Sequence, residues 1–403
     1  MISLGKYFAF ISIVLIFTTL DMWLNINGFL FIKATLVVVL TMTMSTFFLF
    51  FASNETKNTF FRVIKEASVF YFLFYLFAIY ALLGILFISD LNNSNITQAF
   101  LYIYSLLIIT LSIAILSNND IYQLANKYIG VALLILCFSV FVDVLSPGYF
   151  GNYPQRAAGF PENPTRAAIA VNFALIGALN YKRFLKIDYL YIVLSALALF
   201  SIMSKTGVFI FSVIIFLYMM EHKLRFFHLI KHVSILAISL LLVAYFFTEY
   251  FISDSIFSLA GNKIDRIIVV EGLVDISARA NLWEHYITLI GENLFFGKGA
   301  GYIDSLEAMG AHNFFIHSII EFGIVGLLIL ILILIISGIY AYKSGGQLLT
   351  VYIALLMLSL VHSTPLYERT VLFMIAFSIV SAYRSNGIGI IKESNNTIQK
   401  KEF

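Results

Sequence analysis

The sequence predicts an all-α integral membrane protein with about 12 transmembrane helices and one large outer loop between spans 9 and 10. Three observations carry that prediction. Of the 403 residues, 61% are hydrophobic and 12% charged, with a mean hydropathy of +0.95; soluble domains are about 45–50% apolar and about 25% charged. Apolar runs of about 20 residues, the length of helix that crosses a bilayer, recur from end to end. The cations are also shared unequally between alternate connections, as membrane topology requires. A formal net charge of +3 does not mark a nucleic-acid binder, and no nucleic acid is expected.

In chain order the spans fall at roughly 7–25, 30–52, 67–89, 97–117, 128–146, 166–182, 187–203, 206–220, 232–252, 312–341, 347–362 and 370–384. No A-x-A-like cleavage site follows the first run, which therefore reads as an uncleaved span. Only Met203-Ser204-Lys205-Thr206 separates the seventh span from the eighth, yet merging them would turn the basic 221–232 connection outward. With a cytoplasmic N-terminus and alternating spans, 16 of the 25 Lys and Arg lie inside, and both termini are cytoplasmic. Residues 1–391 form one polytopic domain, and the polar segment 392–403 reads as a disordered cytoplasmic tail. Cys137 is the one cysteine and sits in an apolar run, so no intramolecular disulfide is possible.

Two outer loops are long. One, 146–165, holds four of the five prolines; the other, 252–311, is large enough for two or three short helices. Loops of that size on one face usually carry function. Nine cations fall outside, of which Lys33 and Lys298 read as interfacial anchors. Arg156, Arg166, Lys205, Arg279 and Arg369 each stand beside a span end, where an ionisable group is costly and points to function. Converging, they would make an anion site, and diphosphate suits planar bidentate donors. Scattered, they would meet lipid phosphates one by one.

His312-Asn313 stands where the large loop re-enters the membrane. A histidine with a pKa near 6.5 can take a proton from a hydroxyl at neutral pH, and an asparagine can orient it or a substrate; an ordinary helix-end histidine is the plainer alternative. His317 lies about 140° round a helix from His312, so the two do not share a face. Glu321 is one turn beyond His317 and placed to pair with it. His362-Ser363 adds a histidine near the outer end of span 11. Gly297-x-Gly299-x-Gly301 has no strand before it and reads as tight turns rather than a nucleotide loop. Asp265, Asp275, Glu284, Asp304 and Glu307 lack metal-ligand spacing, so no metal and no cofactor are expected. Tyr149, Phe150, Tyr153, Trp283, Tyr286 and Tyr302 can stack on sugar rings or anchor at the interface.

Four of these places, in order, resemble the O-antigen polymerase and O-antigen ligase superfamily of bacterial inner-membrane glycosyltransferases. Arg156-Ala-Ala-Gly159-Phe with Asn163-Pro164 resembles the family's R-x-x-G-x-x-x-N-P loop, and Ser204-Lys205-Thr206-Gly207 its S-R-[ST]-G turn, with Lys in place of the usual Arg. Arg279 through Trp283 to Gly297-x-Gly299-x-Gly301 resembles the arginine-to-glycine segment of its large periplasmic loop. His312-Asn313 with Gly323-x-x-Gly326 resembles its H-N-x-x-[LF]…G-x-x-G entry into the next span. The resemblance covers about residues 156–326; the first 145 residues match in hydropathy alone.

The resemblance implies a metal-independent transferase with its active site on the periplasmic side of the inner membrane. Its donor would be an undecaprenyl-diphosphate-linked oligosaccharide. Arg279 and Lys205 would bind the lipid diphosphate and His312 would activate the acceptor hydroxyl. Arg156, Arg166, Asn313, His317 and Arg369 are expected to line the substrate site. A polymerase would extend another lipid-linked repeat unit, with a chain-length-regulating co-polymerase as a possible partner; a ligase would use the lipid A core. The 32 residues between Arg279 and His312, and the proline-rich first loop, lean toward polymerase. A flippase for the same lipids is the alternative of another class, although its polar groups would sit near mid-membrane rather than at one face.

Overall fold

The computed structural model describes residues 1–30, 33–85, 93–151, 156–222, 286–291, 293–305 and 311–399. Among these the chain is helical and contains no strand. The helices are α1 (Ile2–Thr18), α2 (Leu20–Ile26), α3 (Ala34–Ala52), α4 (Asn54–Glu66), α5 (Ser68–Ile85), α6 (Asn93–Leu116) and α7 (Asn119–Leu145). They continue with α8 (Pro164–Ala178), α9 (Lys186–Ile202), α10 (Lys205–Glu221), the single turn α11 (Tyr302–Ser305), α12 (Phe314–Ser344) and α13 (Gly346–Val361). A 3₁₀ turn (Pro365–Tyr367) leads into α14 (Arg369–Gln399). Every expected span but the ninth has a helix in its place. The ninth, 232–252, and most of the large loop lie outside the described residues, as does Arg279.

Among the described residues five helices, α3, α5, α6, α7 and α12, are long and apolar enough to cross a membrane, or six if α1 and α2 count as one bent span. The first span differs from the single helix expected over 7–25. Thr19 takes a left-handed conformation at φ 53°, and α2 turns away from α1 by 74°. One helix was not expected: α4 is short and amphipathic, capped by the Ser53 hydroxyl, with Lys57, Arg62 and Lys65 exposed. The tail expected as disordered, 392–403, falls partly on α14 and partly outside the described residues.

The helices run alternately between two ends. At one end, the starts of α1 and α7 meet through Lys6 and Asp120 at 2.7 Å. Gln347 at the start of α13 donates to the Ile176 carbonyl near the end of α8 at 2.8 Å. Asp188 there accepts from the Leu185 N–H and the Tyr218 hydroxyl. Lys57, Arg62, Lys182, Arg183 and Lys343 crowd this end, which is the basic one. At the other end the starts of α6, α8, α10, α12 and α14 meet the ends of α2, α5, α7, α9 and α13. Thus α10 finishes at the basic end and α12 starts at the opposite one.

The small-residue helix α8 is the axis. Every residue from Ala167 to Ala178 is buried, which a run of Ala and Gly permits because neighbouring backbones can approach closely. Gly207 of α10 packs against Ala168, and Asn172 donates to the Gly207 carbonyl at 3.0 Å, so the first turns of α8 and α10 lie side by side.

The helix α12 is broken at Gly323 (φ 62°, ψ −169°), and the break has a specific hydrogen-bond solution. In an unbroken helix the Ile320 and Glu321 carbonyls would accept from residues 324 and 325. Here Lys298 N–H donates to Ile320 and Gly299 N–H to Glu321, both at 2.8 Å. The displaced donors go to the same loop: Ile324 N–H to the Leu294 carbonyl at 2.9 Å and Val325 N–H to Phe295 at 3.3 Å. The Tyr80 hydroxyl of α5 donates to Phe322 at 2.9 Å. In lipid each orphaned group would cost several kcal/mol. The expected tight-turn glycines are the condition for this exchange. Gly297, Gly299 and Gly301 all have positive φ, and a Cβ on Gly297 or Gly323 would strike the opposing backbone.

Replacing Gly323 or Gly297 with Ala should lower stability by about 3 kcal/mol or more, through strain and lost backbone pairing. Gly345 is the control, with φ 94° and ψ −172° but nothing within 4 Å of an added Cβ; Gly345→Ala should cost only its backbone strain, about 2 kcal/mol. Thermal unfolding of the purified chain in detergent reads both, and equal losses at 323 and 345 would refute the close-approach argument.

Candidate functional site

The end opposite the basic one gathers Arg156, Arg166, Lys205, His312, Asn313, His317 and Arg369 of the residues singled out by sequence. Its first element is the loop after α7. Asp143, near the end of that helix, accepts four backbone N–H groups. Its Oδ1 takes those of Phe150 (3.1 Å) and Gly151 (3.3 Å); its Oδ2 takes those of Ala158 (2.8 Å) and Gly159 (3.3 Å). The Ser139 hydroxyl accepts from Phe160 at 3.3 Å. Gly159 (φ 61°) passes so close to Ser139 that a side chain would collide with it. Two helix turns thus hold the loop by its backbone. Around Trp23 of α2 the loop stacks Phe150 and Phe160, with ring centroids 5.1 and 5.9 Å away, and Tyr149 stands beside them.

One local device then recurs three times at this end. A residue in the left-handed conformation is followed by a polar N-cap and a helix: Glu162–Asn163 before α8, Met203–Ser204 before α10 and His312–Asn313 before α12. Asn163 accepts from Thr165 N–H, Ser204 from Gly207 N–H, and Asn313 from Phe315 and Ile316 N–H. The asparagines of the N-P and H-N motifs and the serine of the S-K-T-G turn are therefore helix caps, each satisfying donors that would otherwise be orphaned. Asn313 also donates to the Leu360 carbonyl at 3.3 Å.

The expected cations separate into two kinds. Arg369 is buried and pairs with Asp21 at 2.7 Å, joining α14 to α2. Arg156 donates from Nε to the Ile202 carbonyl (3.2 Å) and from Nη2 to that of Met203 (3.3 Å), closing the end of α9. Both guanidiniums are engaged in joining elements. Arg166 and Lys205 stand on the adjacent first turns of α8 and α10 and are exposed. Arg166, with its side chain 52% exposed, meets Glu368 at 3.7 Å.

Three of the described histidines belong to this end. His312 is exposed; His317 is buried and pairs with Glu321 at 3.3 Å, as its spacing suggested. The Glu321 Oε1 accepts from Ile303 N–H at 3.3 Å, tying α12 to α11. His362 caps the end of α13, and its Nδ1 accepts from Thr364 N–H at 3.1 Å. Burial pushes the His362 imidazole down to about 4, and Arg166, His312 and His317 add to the effect. Burial likewise pushes the Glu368 carboxyl up, against Arg166 and Arg369, and the Glu162 carboxyl up, against Arg166. Sequence reasoning overlooked Asp143, Glu368 and Asp21 as organisers. Their one visible signal was an acid at a span end in a chain with 22 Asp and Glu in 403 residues.

Two consequences can be measured. Asp143→Ala should release the loop, raising hydrogen exchange at Phe150, Gly151, Ala158 and Gly159 by about 100-fold, the equivalent of one strong hydrogen bond to a carboxylate; unchanged exchange would contradict the carboxylate's role. His362 has a folded pKa of about 4, below the unfolded value of about 6.5. Its contribution is complete above pH 6.5 and is lost as pH falls toward 4, on the order of 3 kcal/mol. Glu368 acts in the opposite sense, so wild type and His362→Asn are compared at each pH. The variant should show the smaller acid loss.

Comparison with known proteins gives one family match: residues 190–331 fit the family model described as O-antigen ligase. No curated protein matches the chain. The matched stretch includes Lys205, Arg279, His312, Asn313 and His317, while Arg156, Arg166 and Arg369 lie outside it. Residues 190–331 of this apolar, helical chain are similar to the O-antigen ligase family, which supports its resemblance to the O-antigen polymerase and ligase superfamily.

Proposed function

We propose that this chain is an O-antigen polymerase. It transfers an undecaprenyl-diphosphate-linked glycan onto a sugar hydroxyl of another lipid-linked repeat unit, at the periplasmic face of the bacterial inner membrane. The observation that carries the reading is the gathering of exposed Arg166 and Lys205 with His312 at one end of the bundle, within or beside a domain of the O-antigen ligase family. The basic opposite end is the one that positive-inside topology puts in the cytoplasm.

The chemistry follows from these groups. His312 takes the acceptor hydroxyl proton as the oxygen attacks the anomeric carbon; the bond to diphosphate breaks and its electron pair leaves with the diphosphate. Lys205, Arg166 and Arg279 meet the developing negative charge, with Arg279 assigned from the family resemblance. Fixed cations at the position where charge develops are the largest lever available to such a site. No metal or cofactor enters the scheme. A co-polymerase that sets chain length is a compatible partner.

The name of the matched family favours one second reading, a ligase that delivers the glycan to the lipid A core. A lipopolysaccharide gel from the native host after deletion separates the two. Core bearing a single repeat unit, with the ladder lost, marks a polymerase; bare core with polymer accumulating on undecaprenyl diphosphate marks a ligase. Complementation by His312→Ala or Arg279→Ala should leave the ladder deficient, with the histidine contributing about 10²–10⁴-fold in rate. A full ladder from both variants at normal expression would remove the catalytic assignment and favour lipid transport.

A further inference from the structure

One carboxylate oxygen and the turn that carries it decide how Arg166 is presented. Glu368 follows the 3₁₀ turn Pro365–Tyr367, which is fixed on both sides. Pro365 and Leu366 are buried, the Ser105 hydroxyl donates to the Leu366 carbonyl at 2.9 Å, and the Tyr367 hydroxyl donates to Gln98 at 3.5 Å. On its other flank Arg369 is locked to Asp21. The Glu368 carboxyl therefore stands on a rigid base.

That carboxyl has two partners at the same atom. Its Oε1 lies 3.7 Å from Arg166 Nε and 3.9 Å from His362 Nε2. Because His362 Nδ1 accepts from Thr364 N–H, the neutral ring carries its hydrogen on Nε2 and turns it toward the carboxylate. His362 is thereby an orienting group, with neither nitrogen open to take a substrate proton. On Arg166 the contact is at Nε. The terminal nitrogens have no other side-chain hydrogen-bond partner among the described residues, although Glu162 is close enough to feel the charge. A carboxyl within ion-pair reach of Nε, at 3.7 Å, biases the guanidinium toward one orientation and leaves its fork of N–H groups to a ligand.

We propose that Glu368, backed by His362, is a positioning residue that aims the Arg166 fork at the diphosphate of the lipid-linked donor. The inference rests on the donor class put forward above and adds the residue that sets affinity for it. Arg166 in this role needs no contact with the sugars, so the effect falls on the lipid diphosphate whatever glycan it carries. Preorganisation of this kind raises affinity by removing the ordering cost of a flexible side chain.

The test uses the full chain in lipid nanodiscs and undecaprenyl diphosphate as the probe. Its Kd is measured for wild type, Arg166→Ala, Glu368→Gln, Glu368→Asp and the double variant Arg166→Ala/Glu368→Gln. Arg166→Ala and Glu368→Gln should each weaken binding about tenfold, with thermal unfolding showing the protein folded. The double variant should be no weaker than Arg166→Ala within about twofold, since the two act as one unit, and Glu368→Asp should lie between wild type and Glu368→Gln. Unchanged binding in Glu368→Gln, or multiplying losses in the double variant, overturns the proposal. If Glu368→Gln does not fold, the cycle of Glu368→Asp with Arg166→Ala decides by the same criterion. Wild type that binds undecaprenyl diphosphate with Arg166→Ala unaffected overturns this inference alone. Wild type that neither binds it nor supports a ladder overturns the transferase reading as well.

Discussion

The bilayer offers no water to a broken helix, and this constraint explains most of what is unusual at the end opposite the basic one. The interruption of α12 at Gly323 survives because the 294–299 segment takes over the backbone partners that the helix gives up. Two donors and two carbonyls cross in each direction, and Tyr80 attends to a third carbonyl. A helix can be discontinuous at membrane depth only where protein replaces the lost pairs. The outer half of α12 is consequently tied more closely to the loop than to its own inner half. Glu321 strengthens that attachment by accepting from Ile303. His312 and His317 ride on this composite body, so their position depends on glycines well before them in sequence.

The same need to satisfy backbone groups shapes the other motifs. Asp143 collects four N–H groups from a loop that has no secondary structure to use them. Arg156 serves carbonyls at the end of α9, and Asn163, Ser204 and Asn313 serve the starts of three helices. Much of what reads as a reactive motif is thus local carpentry around exposed ends. The groups proposed to react are the neighbours these caps hold in place: Arg166, Lys205 and His312.

The apolar runs made the helices legible, since length and hydropathy suffice to place a span. The His317–Glu321 pair was legible too, being one helical turn apart. Glycine spacing announced tight turns at 297, 299 and 301, but not their partner, because the hydrogen bonds join segments more than 20 residues apart and no local pattern records them. The arginines show the limit most clearly. Arg156, Arg166 and Arg369 look alike in sequence, each a cation by a span end. Asp21, 348 positions from Arg369, absorbs one, two carbonyls near residue 202 absorb another, and only the third is half exposed. The bend at Thr19 escaped notice because both halves are apolar enough to belong to one helix.

The close packing of Gly207 on Ala168 has a consequence for the lysine in the S-K-T-G turn. Two helices that start side by side and point the same way superpose the positive ends of their dipoles, each equivalent to about half an elementary charge. An anion seated before them feels roughly one unit of fixed charge from backbone alone, before either side chain is counted. The demand on position 205 is thereby reduced to a compact point charge, which an ammonium supplies as well as a guanidinium. On the proposed reading, planarity is then needed only on the neighbouring helix, where Arg166 has the Glu368 carboxyl 3.7 Å away.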